Sequence, residues 1–105
     1  MPSTERPLLS IVIPVLNEAA RLERFLAHLR QAFPDAERLI VDGGSQDETL
    51  AIALRSGTTV LTSDPGRAAQ MNLGAAAASG KWLLFLHADS EFDFTERDLR
   101  SGAPE

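Results

Sequence analysis

Polar side chains that can bind a ligand follow several short apolar segments of this chain. Asn17 and Glu18 come after the first segment, Asp42 after the second, and His87 and Asp89 after the last. Carboxylate and amide oxygens accept hydrogen bonds from a nucleotide. A carboxylate beside an imidazole also suits Mn²⁺ or Mg²⁺ carrying substrate phosphates, with Mn²⁺ more tolerant of nitrogen. The pattern therefore indicates a candidate site, if the fold brings these segment ends together.

Each of these residues also has a structural interpretation, and the sequence leaves both open. Asp42 begins an Asp-Gly-Gly-Ser connection, in which it can serve as a turn residue only. Asn17 is a suitable N-cap for a following helix. A single histidine after a strand is more often structural, although His87 and Asp89, two apart on an extended segment, would share one side. Arg67 opposes the dipole at the start of a helix, and diphosphate binding would be a reason for its presence.

The apolar pattern predicts the elements that would position these residues. Short apolar runs that look buried on both faces predict four strands, at residues 8–16, 39–41, 58–62 and 82–86. Three helices are predicted at residues 18–33, 45–56 and 67–79. The second has a capping box at Ser45 and Glu48, and Gly57 beyond its end. The alternating order predicts an α/β fold, with a parallel sheet and helices on both faces.

In such a sheet, ligands bind beyond the carboxyl ends of the strands. The four segment ends therefore belong to one rim of the predicted fold. The third strand ends at Asp64-Pro65-Gly66, for which a simple turn is the favoured interpretation.

The amino-acid composition limits the classes of protein to which this chain can belong. The chain has 105 residues, 44% of them hydrophobic and 24% charged, as expected for one globular domain. The absence of cysteine excludes disulfides, and a formal charge of −5 argues against sequence-independent binding of nucleic acid. No transmembrane segment or secretion signal is recognisable, so we expect a cytoplasmic protein. The polar tail, residues 91–105, is expected to be frayed or disordered.

The sequence motifs of the common nucleotide-binding loops are absent from this chain or occur in the wrong context. No G-x-G-x-x-G follows the first strand, and no G-x-S-x-G elbow is present. The segment from Gly74 to Lys81 is similar to a phosphate-binding loop of the Walker type. However, five residues rather than four separate its two glycines, and a predicted strand follows it instead of a helix. We therefore do not expect this segment to bind phosphate.

Four segments together resemble the family 2 glycosyltransferases. They are SIVIPVLNE (residues 10–18), LIVDGGSQDET (39–49), GRAAQMNLGAAAASG (66–80) and WLLFLHADS (82–90). The third segment and the L-H-A-D sequence are similar to a small bacterial branch of that family. The resemblance implies a GT-A fold, of which residues 1–90 would form the Rossmann-like, nucleotide-sugar-binding half. It also implies transfer of a sugar from a nucleoside diphosphate donor, most commonly a UDP-sugar, to an acceptor.

The resemblance also implies roles for individual residues. Donor-nucleotide binding falls to Pro14, Asn17, Glu18, Asp42, Arg67, Asn72 and Asp89. Of these, Asp42 would hydrogen-bond the base, and Arg67 and Asn72 would face the base or the diphosphate. Asp47 and Thr49 would support the loop. Asp89 and His87 occupy the place of the family's D-x-D motif, which implies a divalent cation, Mn²⁺ or Mg²⁺.

The chain departs from the family pattern in three respects. His87 replaces the first Asp of D-x-D, and Gly43 stands where many members have a second Asp. The family's acceptor half and catalytic base lie beyond this region, whereas the chain ends fifteen residues after Ser90. We therefore expect a truncated glycosyltransferase with no identifiable base. The alternatives are a non-catalytic nucleotide-diphosphate-binding module and a self-associating remnant, and the apolar strand at residues 82–86 predicts a homo-oligomer.

Overall fold

The computed structural model describes residues 7–89 and Thr95. In this part of the chain, strands and helices alternate in the predicted order. They are β1 (Leu9–Val15), α1 (Ala19–Ala32), β2 (Glu37–Asp42), α2 (Thr49–Arg55), β3 (Thr59–Thr62), α3 (Arg67–Ala77) and β4 (Trp82–Phe85). Apart from Thr95, the predicted tail at residues 91–105 lies outside the described residues.

The strands form one parallel sheet in the order β3-β2-β1-β4. β1 lies in the middle and is buried along its whole length, whereas β3 and β4 are the edges. The expectation that every strand is buried on both faces is wrong for β3 and β4, because α3 packs mainly on the central strands β1 and β2 and leaves the outer strands partly uncovered. Trp82 of β4 is 65% exposed.

Helices cover both faces of the sheet, as predicted. Alternate residues of β1 point to opposite faces. Ile11 and Ile13 belong to the cluster that contains Leu22 and Leu29 of α1. On the other face, α3 packs on β1 and β2.

Small residues allow α3 to lie close to the sheet. A Cβ atom added at Gly74 would overlap the side chain of Val12 and lie 3.2 Å from Cγ2 of Val41. At Gly80, an added Cβ would be 2.6 Å from Oγ of Ser10. The two glycines of the phosphate-loop imitation therefore permit close packing, and the segment runs from inside α3 to the start of β4.

A polar cluster joins the elements at the amino end of the sheet. Ser10 donates to Oε1 of Glu37 at 2.6 Å, and the same oxygen accepts from the backbone N–H of Ser79 at 2.8 Å. The backbone N–H of Gly80 donates to Oγ of Ser10 at 2.8 Å. Burial raises the pKa of Glu37, but these hydrogen bonds outweigh it and leave the pKa below its usual value. The cluster ties the start of β4 to β1 and β2, at the end opposite the candidate site.

None of the helices in the described part of the chain has the length and apolar character needed to cross a membrane.

Candidate functional site

The loops after β1 and β2 are bonded to each other at the carboxyl end of the sheet. The backbone N–H of Asn17 donates to Oγ of Ser45 at 2.8 Å, and Oδ1 of Asn17 accepts from the backbone N–H of Gln46 at 2.8 Å. The backbone N–H of Glu18 donates to Oγ1 of Thr49 at 2.7 Å. Two segments almost thirty residues apart therefore form one rim.

These bonds exclude the N-cap interpretation that was left open for Asn17, and they correct the predicted start of α2. The N-cap of α1 is Glu18, and Asn17 adopts a left-handed conformation with φ of 55°. Its side chain binds the β2–α2 loop and does not cap α1. The predicted capping box is also wrong, because α2 begins only at Thr49 and the Ser45 hydroxyl instead accepts a bond from Asn17.

Asp47 organises this rim from within the β2–α2 loop. Its Oδ1 accepts hydrogen bonds from the hydroxyl and the backbone N–H of Thr49, and its Oδ2 accepts from the backbone N–H of Ala19 at 3.2 Å. These bonds, that of the Thr49 hydroxyl first, hold the pKa of Asp47 below its usual value. The supporting role that the resemblance implied for Asp47 and Thr49 is confirmed.

Asp42 ends β2 and is only 3% exposed. Its Oδ2 accepts from the backbone N–H groups of Gly44 at 3.0 Å and Ser45 at 3.1 Å. Its Oδ1 is buried and has no hydrogen-bond partner in the described structure. Asp42 is thus a turn residue, and its second oxygen retains the capacity to accept a hydrogen bond from a ligand.

Gln70 is a residue at this rim that the sequence analysis missed. It lies on α3 and is 5% exposed, and its Nε2 donates to the carbonyl oxygens of Val15 and Val41, both at 2.9 Å. Candidate residues came from the strand ends and, through the resemblance, from Arg67 and Asn72 of the third helix, whereas Gln70 lies between these two residues on the same helix. The available signal was its spacing of four from Gly74, which places it on the side of α3 that faces the sheet.

Three other predicted residues are less closely associated with the rim. Pro14 is buried inside β1 and pairs with Val41 of β2. Arg67 is the exposed first residue of α3. Asn72 is also exposed, about 200° around the helix from Gln70. The structure thus places Arg67 near the end of the β3–α3 connection but does not bring Asn72 to the sheet.

His87 and Asp89 follow β4, which ends at Phe85. The chain turns at residues 88 and 89, so the extended spacing that would place both side chains on one side is not present. The Asp89 side chain is 61% exposed, and its Oδ2 lies 3.8 Å from Nη1 of Arg21. The same Arg21 atom lies 3.8 Å from Oε1 of Glu18. Exposed ion pairs of this kind are weak, so a competing ligand can replace them at little cost.

The described residues contain no group of three or more His, Asp or Glu side chains able to hold a metal ion. A divalent cation held by these described side chains would therefore take most of its ligands from water or from a bound molecule.

Comparison with known proteins agrees with this architecture. Residues 10–96 match the family model for glycosyl transferase family 2. A PGL/p-HBAD biosynthesis glycosyltransferase of Mycobacterium tuberculosis is 45% identical over 91 residues, a match covering 79% of this chain and 36% of the relative. The glycosyltransferase AglE of Haloferax volcanii is 39% identical over 93 residues, covering 79% of this chain and 31% of the relative.

Crystal structures of other proteins contain a similar arrangement of strands and helices. The crystal structure of glucosyl-3-phosphoglycerate synthase from Mycobacterium tuberculosis, in complex with Mn²⁺, UDP and glucosyl-3-phosphoglycerate, matches with a TM-score of 0.71 at 28% identity. The match covers 79% of this chain and 34% of that one. The same enzyme with Mg²⁺ and UDP matches with a TM-score of 0.69 at 27% identity, again over 79% of this chain and 34% of that one. This chain thus spans about a third of the length of the proteins it matches. Its parallel sheet is part of a GT-A fold, and the chain belongs to glycosyl transferase family 2.

Proposed function

We propose that this chain binds the nucleoside diphosphate of a sugar donor at the rim, as part of an enzyme that transfers the sugar to an acceptor. The observation that carries the proposal is the Asp42 carboxylate, which is almost fully buried while its Oδ1 has no hydrogen-bond partner in the described structure. A buried acceptor without a partner is costly. A base N–H or a ribose hydroxyl would supply that partner and remove the cost on binding.

The proposed donor site comprises Pro14, Asn17, Glu18, Asp42, Arg67, Asn72 and Asp89. For Pro14 and Asn72 the support is the family resemblance alone. Arg67 offers a guanidinium, which matches phosphate oxygens well. UDP is the preferred nucleotide, because the similar synthase has been solved with UDP.

A divalent cation, Mn²⁺ or Mg²⁺, completes the proposal. The similar synthase has been solved with each of these ions. Asp89 would supply an oxygen ligand, with diphosphate oxygens providing others. A nitrogen ligand from His87 would suit Mn²⁺, but for His87 the support is the family resemblance alone, because the turn at residues 88 and 89 does not place the two side chains on one side. When bound, such a cation stabilises the negative charge of a departing diphosphate. Asp89 is exposed and only weakly paired, so it is accessible for this role.

Thermal unfolding in the presence of nucleotides tests this proposal. We expect UDP with Mn²⁺ to stabilise the chain, by about 2.7 kcal/mol at a concentration 100 times the dissociation constant. The screen includes GDP and dTDP, each with and without metal, and uridine as a control that lacks the diphosphate. If no nucleotide changes the melting temperature, the donor-binding proposal fails.

We also propose that the chain forms a homo-oligomer through β4. Trp82, Leu83 and Phe85 of this edge strand are exposed, and the strand contains no charge that would oppose pairing with a second copy.

A further inference from the structure

We propose that Gln70 is a positioning residue for the nucleotide site, and that Gly43 leaves the space that the Gln70 amide occupies. The inference rests on the proposed function where it concerns nucleotide, and on geometry alone where it concerns the Asp42 turn. The two residues act as one unit that sets where the Asp42 carboxylate lies.

The buried side-chain amide of Gln70 forms hydrogen bonds to two strands of the sheet. Nε2 of Gln70 donates to the carbonyl oxygens of Val15 and Val41, each 2.9 Å away. Val41 immediately precedes Asp42, and the Val15 oxygen also accepts from the backbone N–H of Gly43 at 3.1 Å. Gln70 is therefore bonded to the backbone of both β1 and β2, close to the point where each strand ends and its rim loop begins.

Residue 43 is a glycine because of the space around it and not because of its backbone conformation. Gly44 has a φ of 101°, which explains its lack of a side chain by backbone conformation. Gly43 is not among the glycines with positive φ, so conformation does not explain it. Space does, because an added Cβ would lie 2.8 Å from Cδ and 2.9 Å from Oε1 of Gln70. Any side chain at position 43 therefore displaces the Gln70 amide.

In this chain the Gln70 amide therefore occupies the space that the second Asp of many family members would need at position 43. Moving the Gln70 amide breaks both carbonyl bonds and releases the strand ends that carry the Asp42 turn. The turn is reported by two amides, those of Gly44 and Ser45, which donate to Oδ2 of Asp42. Their rates of hydrogen exchange measure the turn without any ligand.

The main experiment compares Gln70→Met with Ser10→Ala in the full 105-residue chain. Methionine keeps the length of glutamine but has no N–H donor. Ser10→Ala is the matched control, because it removes a buried hydrogen-bonding group at the opposite end of the sheet. We expect Gln70→Met to accelerate exchange at Gly44 and Ser45, and to weaken UDP binding, each by about tenfold, the equilibrium effect of losing a well-made hydrogen bond. Ser10→Ala is expected to change neither quantity specifically, whatever it does to global stability.

Two outcomes separate this inference from the proposed function. If the wild type binds UDP but Gln70→Met alters neither exchange nor affinity, the positioning role is overturned and the donor site stands. If exchange accelerates in Gln70→Met while the wild type binds no nucleotide, the hold on the Asp42 turn is supported and the donor proposal fails.

A double-mutant cycle tests the pairing of Gly43 with Gln70 by stability alone, without nucleotide. We expect Gly43→Ala to lower stability in the wild type, but to cost little in a Gln70→Ala background, where the colliding amide is gone. Equal losses in both backgrounds would show that Gly43 and Gln70 are independent.

Discussion

The two oxygens of the Asp42 carboxylate have different surroundings. Oδ2 accepts two backbone N–H groups of its own turn, whereas Oδ1 is buried without a partner in the described structure. The Asp89 carboxylate, in contrast, is exposed and lies near Arg21. Two acidic residues of the proposed site therefore differ in burial, which gives their substitutions distinguishable consequences.

We predict different losses from Asp42→Asn and Asp89→Asn. Asp42→Asn keeps one oxygen but loses the charge, so we expect UDP affinity to fall about tenfold or more without metal, since hydrogen bonds to charged groups contribute about 1.5–3 kcal/mol. Asp89→Asn is expected to remove most of the dependence of UDP binding on Mn²⁺. Calorimetric titration of both variants, with and without Mn²⁺, measures these effects. Unchanged affinity in both would show that neither carboxylate contacts the donor.

We predict that Asp47 contributes to acid sensitivity. Its pKa is lowered in the folded state from an ordinary value of 3.8, so the unfolded state binds the proton more readily. The stabilisation is therefore complete above the ordinary value and disappears as the pH falls through the lower, folded value. Urea unfolding between pH 6 and 2.5 is expected to show a shallower acid decline for Asp47→Asn than for the wild type.

Glu48→Gln serves as the control for this pH series. Glu48 belongs to the same loop, but its carboxylate accepts none of the bonds described for Asp47. An identical decline for the wild type and Asp47→Asn would contradict the predicted contribution.

At the scale of the elements, periodicity predicted every helix and strand of the described chain but not all of their ends. The stripe of Leu22 and Leu29 faces the core, so the limits of α1 differ little from the prediction. The start of α2 was misplaced because Ser45 and Thr49 accept bonds from the distant β1–α1 loop. Long-range bonds of this kind leave no local pattern. The bonds of Gln70 to Val15 and Val41 are of the same kind, so its spacing from Gly74 could indicate the face of α3 on which it lies but not its partners.

We predict that Gly74→Ala destabilises the chain although alanine favours helices. On an exposed helix this change stabilises by about 1 kcal/mol. Here the added methyl group overlaps Val12, and overpacking typically costs about 1–3 kcal/mol. Urea unfolding is expected to show a net loss of stability. The same substitution in a Val12→Ala background is expected to cost less, and a net gain in the wild type would contradict close packing of α3.

For the whole molecule, the two edges of the sheet differ in composition. β3 begins with Thr59 and ends with Thr62, whereas β4 exposes the apolar side chains of Trp82 and Leu83. The sequence correctly indicated an apolar fourth strand, but its place at an edge depends on the order of strands, which periodicity does not encode.

We predict that the chain self-associates through the β4 edge, and that Leu83→Lys shifts it toward monomer. A lysine on an edge strand opposes pairing with another strand. Light scattering over a range of concentrations measures the change. Thr59→Lys, on the opposite edge, is the matched control and is expected to leave the association unchanged. A wild type that is monomeric at all concentrations would refute the prediction.

The central place of β1 has a consequence during protein synthesis. β1 is made before the other three strands of this sheet, yet its contact with the segment leading into β4 joins Ser10 to Gly80, 70 residues apart. At about 5–20 residues per second, the ribosome needs roughly 4–14 seconds to make the intervening chain. Throughout that interval one side of β1 is an open, apolar edge, of the kind that pairs with other chains. The most buried strand of the described sheet is thus the one that waits longest for its second neighbour while the chain emerges.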